Sequence, residues 1–320
     1  MKAIRVHEMG DPDVMKLEEV ASLKPEAGQV LVQVMAAGVN PVDTYIRAGM
    51  YGAVELPYTP GMDAAGIVEA VGEGVSGFSE GDRVYVAGST TGTYAEQCLC
   101  SPAQVHPLPQ KVSFLQGAGV YVPYATAYRA LFNRARAKGG QKLLVHGASG
   151  AVGVAAIQIA RAAGLKIYGT AGTEKGRQLV EAQGAIRAYD HTQPDYLEKA
   201  IEDTGGTGFD IILEMLANVN LNSDLAALAM NGAVVVIGSR GTLEFDPRGI
   251  MRKDATVKGM VLMNTAPDEL ASIHASLVAG LEAGIYAPVI GCEMPLGDAP
   301  KAHVKVMQPG AYGKIVLTTQ

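Results

Sequence analysis

Cysteine is scarce in this 320-residue chain: only Cys98, Cys100 and Cys292 occur. An odd number at irregular spacing excludes a disulfide framework and points to a reducing compartment, so a cytoplasmic location is expected. Long apolar runs are missing as well. No apolar run approaches about 18 residues, which leaves no helical membrane span. The start, MKAIRVHEMG, reads as a short strand and not as a charged leader before an apolar segment, so no signal peptide is expected. Basic blocks are also absent. With 26 Lys and Arg against 32 Asp and Glu, the net charge is −6, and a dedicated nucleic-acid surface is not expected. There is no internal repeat and no low-complexity segment. No strand-elbow serine with triad partners, no Walker lysine and no carboxylate pair on one helix emerges, so hydrolase and kinase chemistry are not expected.

What is present suits a two-domain enzyme. Hydrophobic residues make up 48% and charged residues 18%, enough for sizeable cores. The chain also exceeds the length at which one core keeps growing. Residues 1–122 are dense in β-branched alternation broken by glycine, as in VLVQVMAAGV and DRVYVAG, and predict a twisted antiparallel module. From VPYATAYRALFNRARAK onward the pattern becomes helical, with Pro123 where a first turn tolerates it. Residues 123–266 then alternate strands and helices, including helices over Glu174–Gln183, Asp195–Glu202 and Leu221–Met230 and a closing strand, TVKGMVLMN. That succession predicts a doubly wound parallel sheet. Residues 267–320, a long helix from Pro267 followed by short strands, are expected to return to the first module. The fold class is therefore α/β.

The most informative segment is KLLVHGASGAVGVAAIQIARAAG, Lys142–Gly164: an apolar strand, a glycine-spaced turn and an alanine-rich helix in direct succession. Gly147, Gly150 and Gly153 recur every third residue, which lets backbone amides approach phosphate oxygens and packs the helix on its strand. The helix start favours an anion, so Ser149, Gly150, Ala151 and Val152 are expected to cradle a dinucleotide pyrophosphate.

Taken in order, VNPVDTYIRAGMY, LPYTPGMDAAGIVEAVGEGV, VPYATAYRAL, VHGASGAVG, YGTAGTEKG, EMLANVNL and VIGSRG closely resemble the zeta-crystallin-like quinone oxidoreductases of the medium-chain dehydrogenase/reductase superfamily, over nearly the whole chain. The resemblance implies a GroES-like β-rich substrate domain carrying a Rossmann-type domain, and NADPH as cofactor. It carries adenosine contacts onto Gly172 and His191, and nicotinamide-side contacts onto Thr126, Asn220, Ile237, Gly238, Ser239 and Arg240. By itself His191 reads as a surface histidine after a strand. The residues agree on NADPH, because the second strand of the nucleotide domain ends Tyr168-Gly169-Thr170-Ala171-Gly172 with no carboxylate to receive ribose hydroxyls. Lys175 and Arg177 follow and could pair with a 2′-phosphate.

Zinc-dependent members of the superfamily hold catalytic metal with a cysteine and a histidine where this chain has Asn40 and Met62, so no zinc is expected. Without a Lewis acid, the natural chemistry is hydride delivery to a quinone or a conjugated carbonyl, with oxyanion donors sought among Asn40, Tyr45 and Tyr51. Asn40, before Pro41, reads equally well as turn chemistry. In the family the matching asparagine and Tyr45 line the nicotinamide pocket, and Tyr51 falls where related enoyl reductases use a tyrosine as proton donor. Asp43 and Asp63 are assigned no catalysis, with Asp63 expected to hold the turn after Pro60-Gly61. The leading function is NADPH:quinone oxidoreductase. An enal, enone or enoyl reductase is the second reading, and a crystallin-like structural or RNA-binding role the third. A homodimer or homotetramer is expected, with TVKGMVLMN pairing across a two-fold axis.

Overall fold

A computed structural model describes residues 1–52 and 54–319. Its strands are β1 Lys2–Val6, β2 Met15–Glu19, β3 Val30–Val39, β4 Asp63–Val71, β5 Arg83–Ala87, β6 Gln97–Cys100, β7 Val105–Pro107, β8 Lys142–Val145, β9 Lys166–Thr170, β10 Arg187–Tyr189, β11 Phe209–Glu214, β12 Leu228–Val236, β13 Thr256–Gly259, β14 Ile290–Pro295 and β15 Lys314–Thr318. The chain divides into two compact units. One comprises Met1–Val122, His274–Gln308 and Gly313–Gln320; the other comprises Pro123–Ile273 and Pro309–Tyr312. The second unit thus runs past the expected limit at 266, through the first half of the helix Pro267–Ala283, and also takes Pro309–Tyr312.

In the first unit a seven-stranded sheet runs β14-β15-β3-β4-β5-β7, with β6 also paired to β3. The run of valines in β3 supplies Val30, Val32 and Val34 to a core shared with Val68, Val84, Tyr94 and Leu317. β3 tolerates close neighbours because glycines face it: a Cβ on Gly66 would lie 1.9 Å from the carbonyl oxygen of Gln33. Cys98 and Cys100 alternate inward on β6 and are fully buried. β15 pairs antiparallel with β3, placing Ile315 opposite Val39 and Leu317 opposite Ala37.

The second unit is a parallel six-stranded sheet in the order β10-β9-β8-β11-β12-β13. Neighbouring strands β8 and β11 are the first and fourth of this unit in chain order. The crevice outside their carboxyl ends is therefore the topological switch point where open α/β sheets bind ligands. Leu144, Tyr168, Phe209, Ile212, Leu225 and Val234 pack one core against this sheet.

Three elements depart from the sequence expectations. The helix expected over Leu221–Met230 spans Ala217–Ala227, and Leu228–Met230 opens β12. Such a short apolar run satisfies helical and strand periods alike, and pairing with Phe209 of β11 decides it. The strand expected over TVKGMVLMN stops at Gly259, and a tight helical turn follows at Leu262–Asn264. The segment around Pro123 is helical in three pieces, Tyr121–Ala125, Thr126–Tyr128 and Arg129–Arg134, the outer two wound with wide π-type turns.

Candidate active site

In the second unit the nucleotide-site candidates gather at the carboxyl ends of the strands. The turn from His146 to Gly150 follows β8, and Gly150 starts the helix Ala151–Ala162 in an extended conformation, with no side chain capping it. The N–H groups of that first turn have no intrahelical acceptor by geometry, which suits phosphate oxygens. Gly147 takes a positive φ of 57°, and a Cβ on Gly153 would sit 2.5 Å from Ala148 Cα, so the turn needs glycine at both places. The Ser149 hydroxyl donates to the Ala311 carbonyl at 2.6 Å, so what Ser149 can offer a phosphate is its backbone.

Beyond β9, Gly172 lies against the His191 ring, where a Cβ would come within 2.9 Å of Nε2. Arg177 is committed to Glu174 at 2.7 Å and Asp190 at 2.9 Å. Lys175, exposed, rests its ammonium 4.2 Å from the centre of the Tyr312 ring. After β12, Gly238 packs onto the backbone at Met215, Ser239 Oγ donates to the Gly241 carbonyl, and the Arg240 N–H donates to Asn218. Ile237 N–H donates to the Glu214 carbonyl. Thr126 is buried in the middle helical piece.

Asn220 leads into a buried network that sequence reasoning missed. Its amide donates to Glu214 Oε1 at 3.2 Å, and the Leu216 N–H donates to the same oxygen. His146 Nε2 is 2.8 Å from Asp224 Oδ1 and 3.6 Å from Glu214 Oε2, while its Nδ1 meets Thr170 Oγ1. Burial keeps His146 neutral and pushes Glu214 and Asp224 up to about 7. The donor atoms of this trio lie within 4.8 Å of one another, and His146 and Asp224 hydrogen-bond directly.

The first unit holds Asn40, Tyr45 and Tyr51. Tyr45 and Tyr51 stack with ring centres 6.5 Å apart, and Tyr51 is half exposed. Asn40 precedes the helix Pro41–Arg47 and is 3% exposed. Its Oδ1 accepts from the Lys314 ammonium at 2.5 Å, and its amide donates to Asp63 Oδ2 at 3.1 Å. Lys314 pairs with that same Asp63 oxygen at 2.6 Å, and the Val122 N–H donates to Asp63 Oδ1. Asp63 therefore does not hold the Pro60-Gly61 turn; it opens β4 and is the fully buried counter-ion of a buried lysine. A single charged residue at the start of the otherwise apolar KIVLT strand was the available signal for Lys314.

Comparisons with known proteins follow these lines. Residues 26–127 match the family of alcohol dehydrogenase GroES-like domains, and residues 151–278 match that of zinc-binding dehydrogenases. Human quinone oxidoreductase is 48% identical over 320 residues, 99% of this chain and 97% of that protein. The crystal structure of Escherichia coli quinone oxidoreductase complexed with NADPH superimposes with a TM-score of 0.87 at 29% identity, covering 99% of this chain and 100% of the other. CurK enoyl reductase gives 0.89 at 25% identity, covering 99% and 98%.

Two outcomes are expected. Lys314→Met should lower stability by about 3–5 kcal/mol in urea titration, because Asp63 then keeps a buried, unpaired charge, and adding Asp63→Asn should recover most of that loss. Glu214 has a raised pKa in the folded protein, so its contribution to stability is complete below its unfolded value and is lost as pH rises through about 7. The melting temperature of Glu214→Gln relative to the unsubstituted protein should therefore be more favourable at pH 8 than at pH 5.

Proposed function

The chain belongs to the zeta-crystallin-like quinone oxidoreductases of the medium-chain dehydrogenase/reductase superfamily, and from that premise we propose that it reduces quinones with NADPH and without zinc. The observation that carries this reading is the glycine turn at the switch point of the parallel sheet, beside a second-strand tip that carries no acid. Backbone groups of Ser149, Gly150, Ala151 and Val152 hold the pyrophosphate. Gly172 and His191 flank the adenosine, while Thr126, Asn220, Ile237, Gly238, Ser239 and Arg240 serve the nicotinamide half, together with Asn40 and Tyr45. Among the described residues Lys175 has no carboxylate partner, whereas both terminal guanidinium nitrogens of Arg177 are taken, so Lys175 is the cation that meets the 2′-phosphate.

Bound NADPH supplies hydride; the protein's task is to position the acceptor and meet the charge that arrives on its oxygen. Zinc does not fit the place where other superfamily members hold it. Asn40 and Met62 offer neither thiolate nor imidazole, and the Lys314 ammonium already bonds Asn40 Oδ1 and Asp63. Reduction of conjugated carbonyls is the second reading. It is favoured by Tyr51, whose half-exposed hydroxyl can return a proton to carbon, and by the likeness to CurK enoyl reductase. No helix among the described residues is long and apolar enough to cross a membrane, and the substrate is a small molecule met in the cytoplasm. The exposed edge β13 is the surface through which two copies form a dimer.

Steady-state assays with a small quinone should show consumption of NADPH well ahead of NADH, unaffected by chelators. Lys175→Glu should raise KM for NADPH about 10-fold or more and leave NADH nearly unchanged, in line with loss of a charge-assisted contact. Equal use of the two cofactors by the unsubstituted protein would count against the assignment of Lys175. Sedimentation at micromolar concentration should show a dimer, and a change of Val257 to Lys should shift it towards monomer.

A further inference from the structure

Glu214, the last residue of β11, stands at one strand tip beside the switch-point crevice, and His146, directly after β8, stands at the other. Both meet Asp224 of the helix Ala217–Ala227. Glu214 and Asp224 are fully buried and His146 is 3% exposed. Among the described residues no lysine or arginine pairs with either acid, so two carboxylate charges here would have only a neutral histidine beside them. A low dielectric does not allow that.

The hydrogens can be placed from their partners. His146 Nε2 faces a carboxyl oxygen on two sides, Asp224 Oδ1 at 2.8 Å and Glu214 Oε2 at 3.6 Å, so the ring proton of the neutral imidazole belongs there. Nδ1 is left to accept from the Thr170 hydroxyl at 3.4 Å, and that hydroxyl oxygen accepts in turn from the Gly147 N–H at 3.2 Å. At the other end Glu214 Oε1 accepts from the Leu216 N–H, so Asn220 must present its NH2 group to it, at 3.2 Å. Two oxygens remain, Glu214 Oε2 and Asp224 Oδ2, buried and accepting from no donor. The two carboxyl groups nevertheless hydrogen-bond to each other, which requires a hydrogen between them. One proton shared by Oε2 and Oδ2 satisfies both oxygens and leaves a single negative charge, served by the Leu216 N–H, the Asn220 amide and His146 Nε2–H.

This chain of bonds spans the crevice. It runs from the Gly147 N–H in the glycine turn through Thr170, His146, Asp224 and Glu214 to Asn220. The Glu214 carbonyl also accepts from the N–H groups of Ile237 and Gly238, at 2.8 and 3.2 Å, so the segment after β12 hangs on the same residue. Backbone on both sides of the place assigned to the dinucleotide is thereby tied to one buried acid pair.

Resting on the NADPH reading above, we propose that Glu214 and Asp224 are positioning residues whose shared proton holds the two strand tips at the spacing the dinucleotide needs, so that nucleotide binding is coupled to protonation of the pair. Loss of the proton sets two negative charges against each other between the tips and adds charge of the same sign as the nucleotide's phosphates. The coupling is reciprocal: the anionic nucleotide strengthens the pair's hold on its proton, and the proton strengthens the hold on the nucleotide. Burial drives both acids up to about 7, so the proton is present at pH 6 and leaves as pH rises through about 7. His146 and Tyr196, the latter kept neutral by a pKa pushed up to about 12, are the titratable groups that face the pair, with His191 beyond His146.

The test titrates NADPH by fluorescence into the unsubstituted protein and into Glu214→Gln at pH 6 and pH 8.5. Glutamine keeps an acceptor for the Leu216 N–H and turns an NH2 group to Asp224, which copies the protonated acid. The Kd of the unsubstituted protein should match that of the variant within about two-fold at pH 6 and exceed it about 5-fold or more at pH 8.5, within the ordinary range of coupling between sites. The 2′-phosphate of NADPH also titrates, but equally for both proteins. Calorimetry at pH 7.5 in buffers of different ionisation enthalpy should show more protons taken up per NADPH bound by the unsubstituted protein than by the variant. Tighter binding by the variant at high pH is a result that the mere loss of a structural contact does not give. A variant weaker by the same factor at both pH values overturns the proposal, and so does equal proton uptake. Should Glu214→Gln not fold, Asp224→Asn, which also presents an NH2 group across the pair, carries the same expectations. Should neither fold, the unsubstituted Kd for NADH, which has no titrating phosphate, decides: a rise of about 5-fold from pH 6 to pH 8.5 supports the proposal and a level value overturns it. If the unsubstituted protein binds neither nucleotide at pH 6, the cofactor reading itself fails and takes this one with it.

Discussion

A buried ammonium placed between an amide and a carboxylate organises the β-rich unit. Lys314 is 2% exposed and Asp63 is fully buried, so neither charge could survive there without the other. The pair joins β15 to β4 across β3, and Asn40, at the end of β3, is held by both partners. Gly38 makes the approach possible: a Cβ there would come within 2.6 Å of Lys314 Cε and 2.0 Å of the Ala118 carbonyl oxygen. The side chain of Asn40 is thus fixed in orientation before any ligand arrives, which is the preorganisation that an electrostatic site requires.

The other buried ionisable groups follow the same economy of charge. Histidines 106, 274 and 303 are driven well below their ordinary pKa by burial, and Asp43, Glu214 and Asp224 are driven up. Each type moves toward its neutral form, as a low dielectric demands. Among the described residues only the Lys314 and Asp63 pair is an ion pair at full burial, and it bonds the Asn40 side chain. The contrast separates charge retained by pairing from charge removed by a gain or loss of a proton.

Much of this was legible in the sequence, and what was not has physical reasons. The parallel sheet was readable because strand, glycine turn and helix succeed each other in Lys142–Gly164, and each local preference agrees with the fold. The shift of the helix to Ala217–Ala227 was not readable, because Leu228–Met230 fits both periods and only its pairing with Phe209 decides. Asn40 could be singled out as a residue before a proline, yet its partners lie 23 and 274 positions away, a separation no local pattern encodes. For the same reason Asp63 reads as a turn residue, and the links from Gly147 through Thr170 and His146 to Asp224 could not be assembled from spacing.

The position of β15 in the chain also governs how this protein is made. The ribosome delivers Asp63 early, but its counter-ion follows 251 residues later, after the whole nucleotide-binding stretch has been synthesised. Until then β3 lacks one neighbour and a carboxylate faces the nascent core alone. The strands of the parallel sheet come from one contiguous stretch, whereas β3 cannot gain β15 as a neighbour until Lys314–Thr318 has been synthesised.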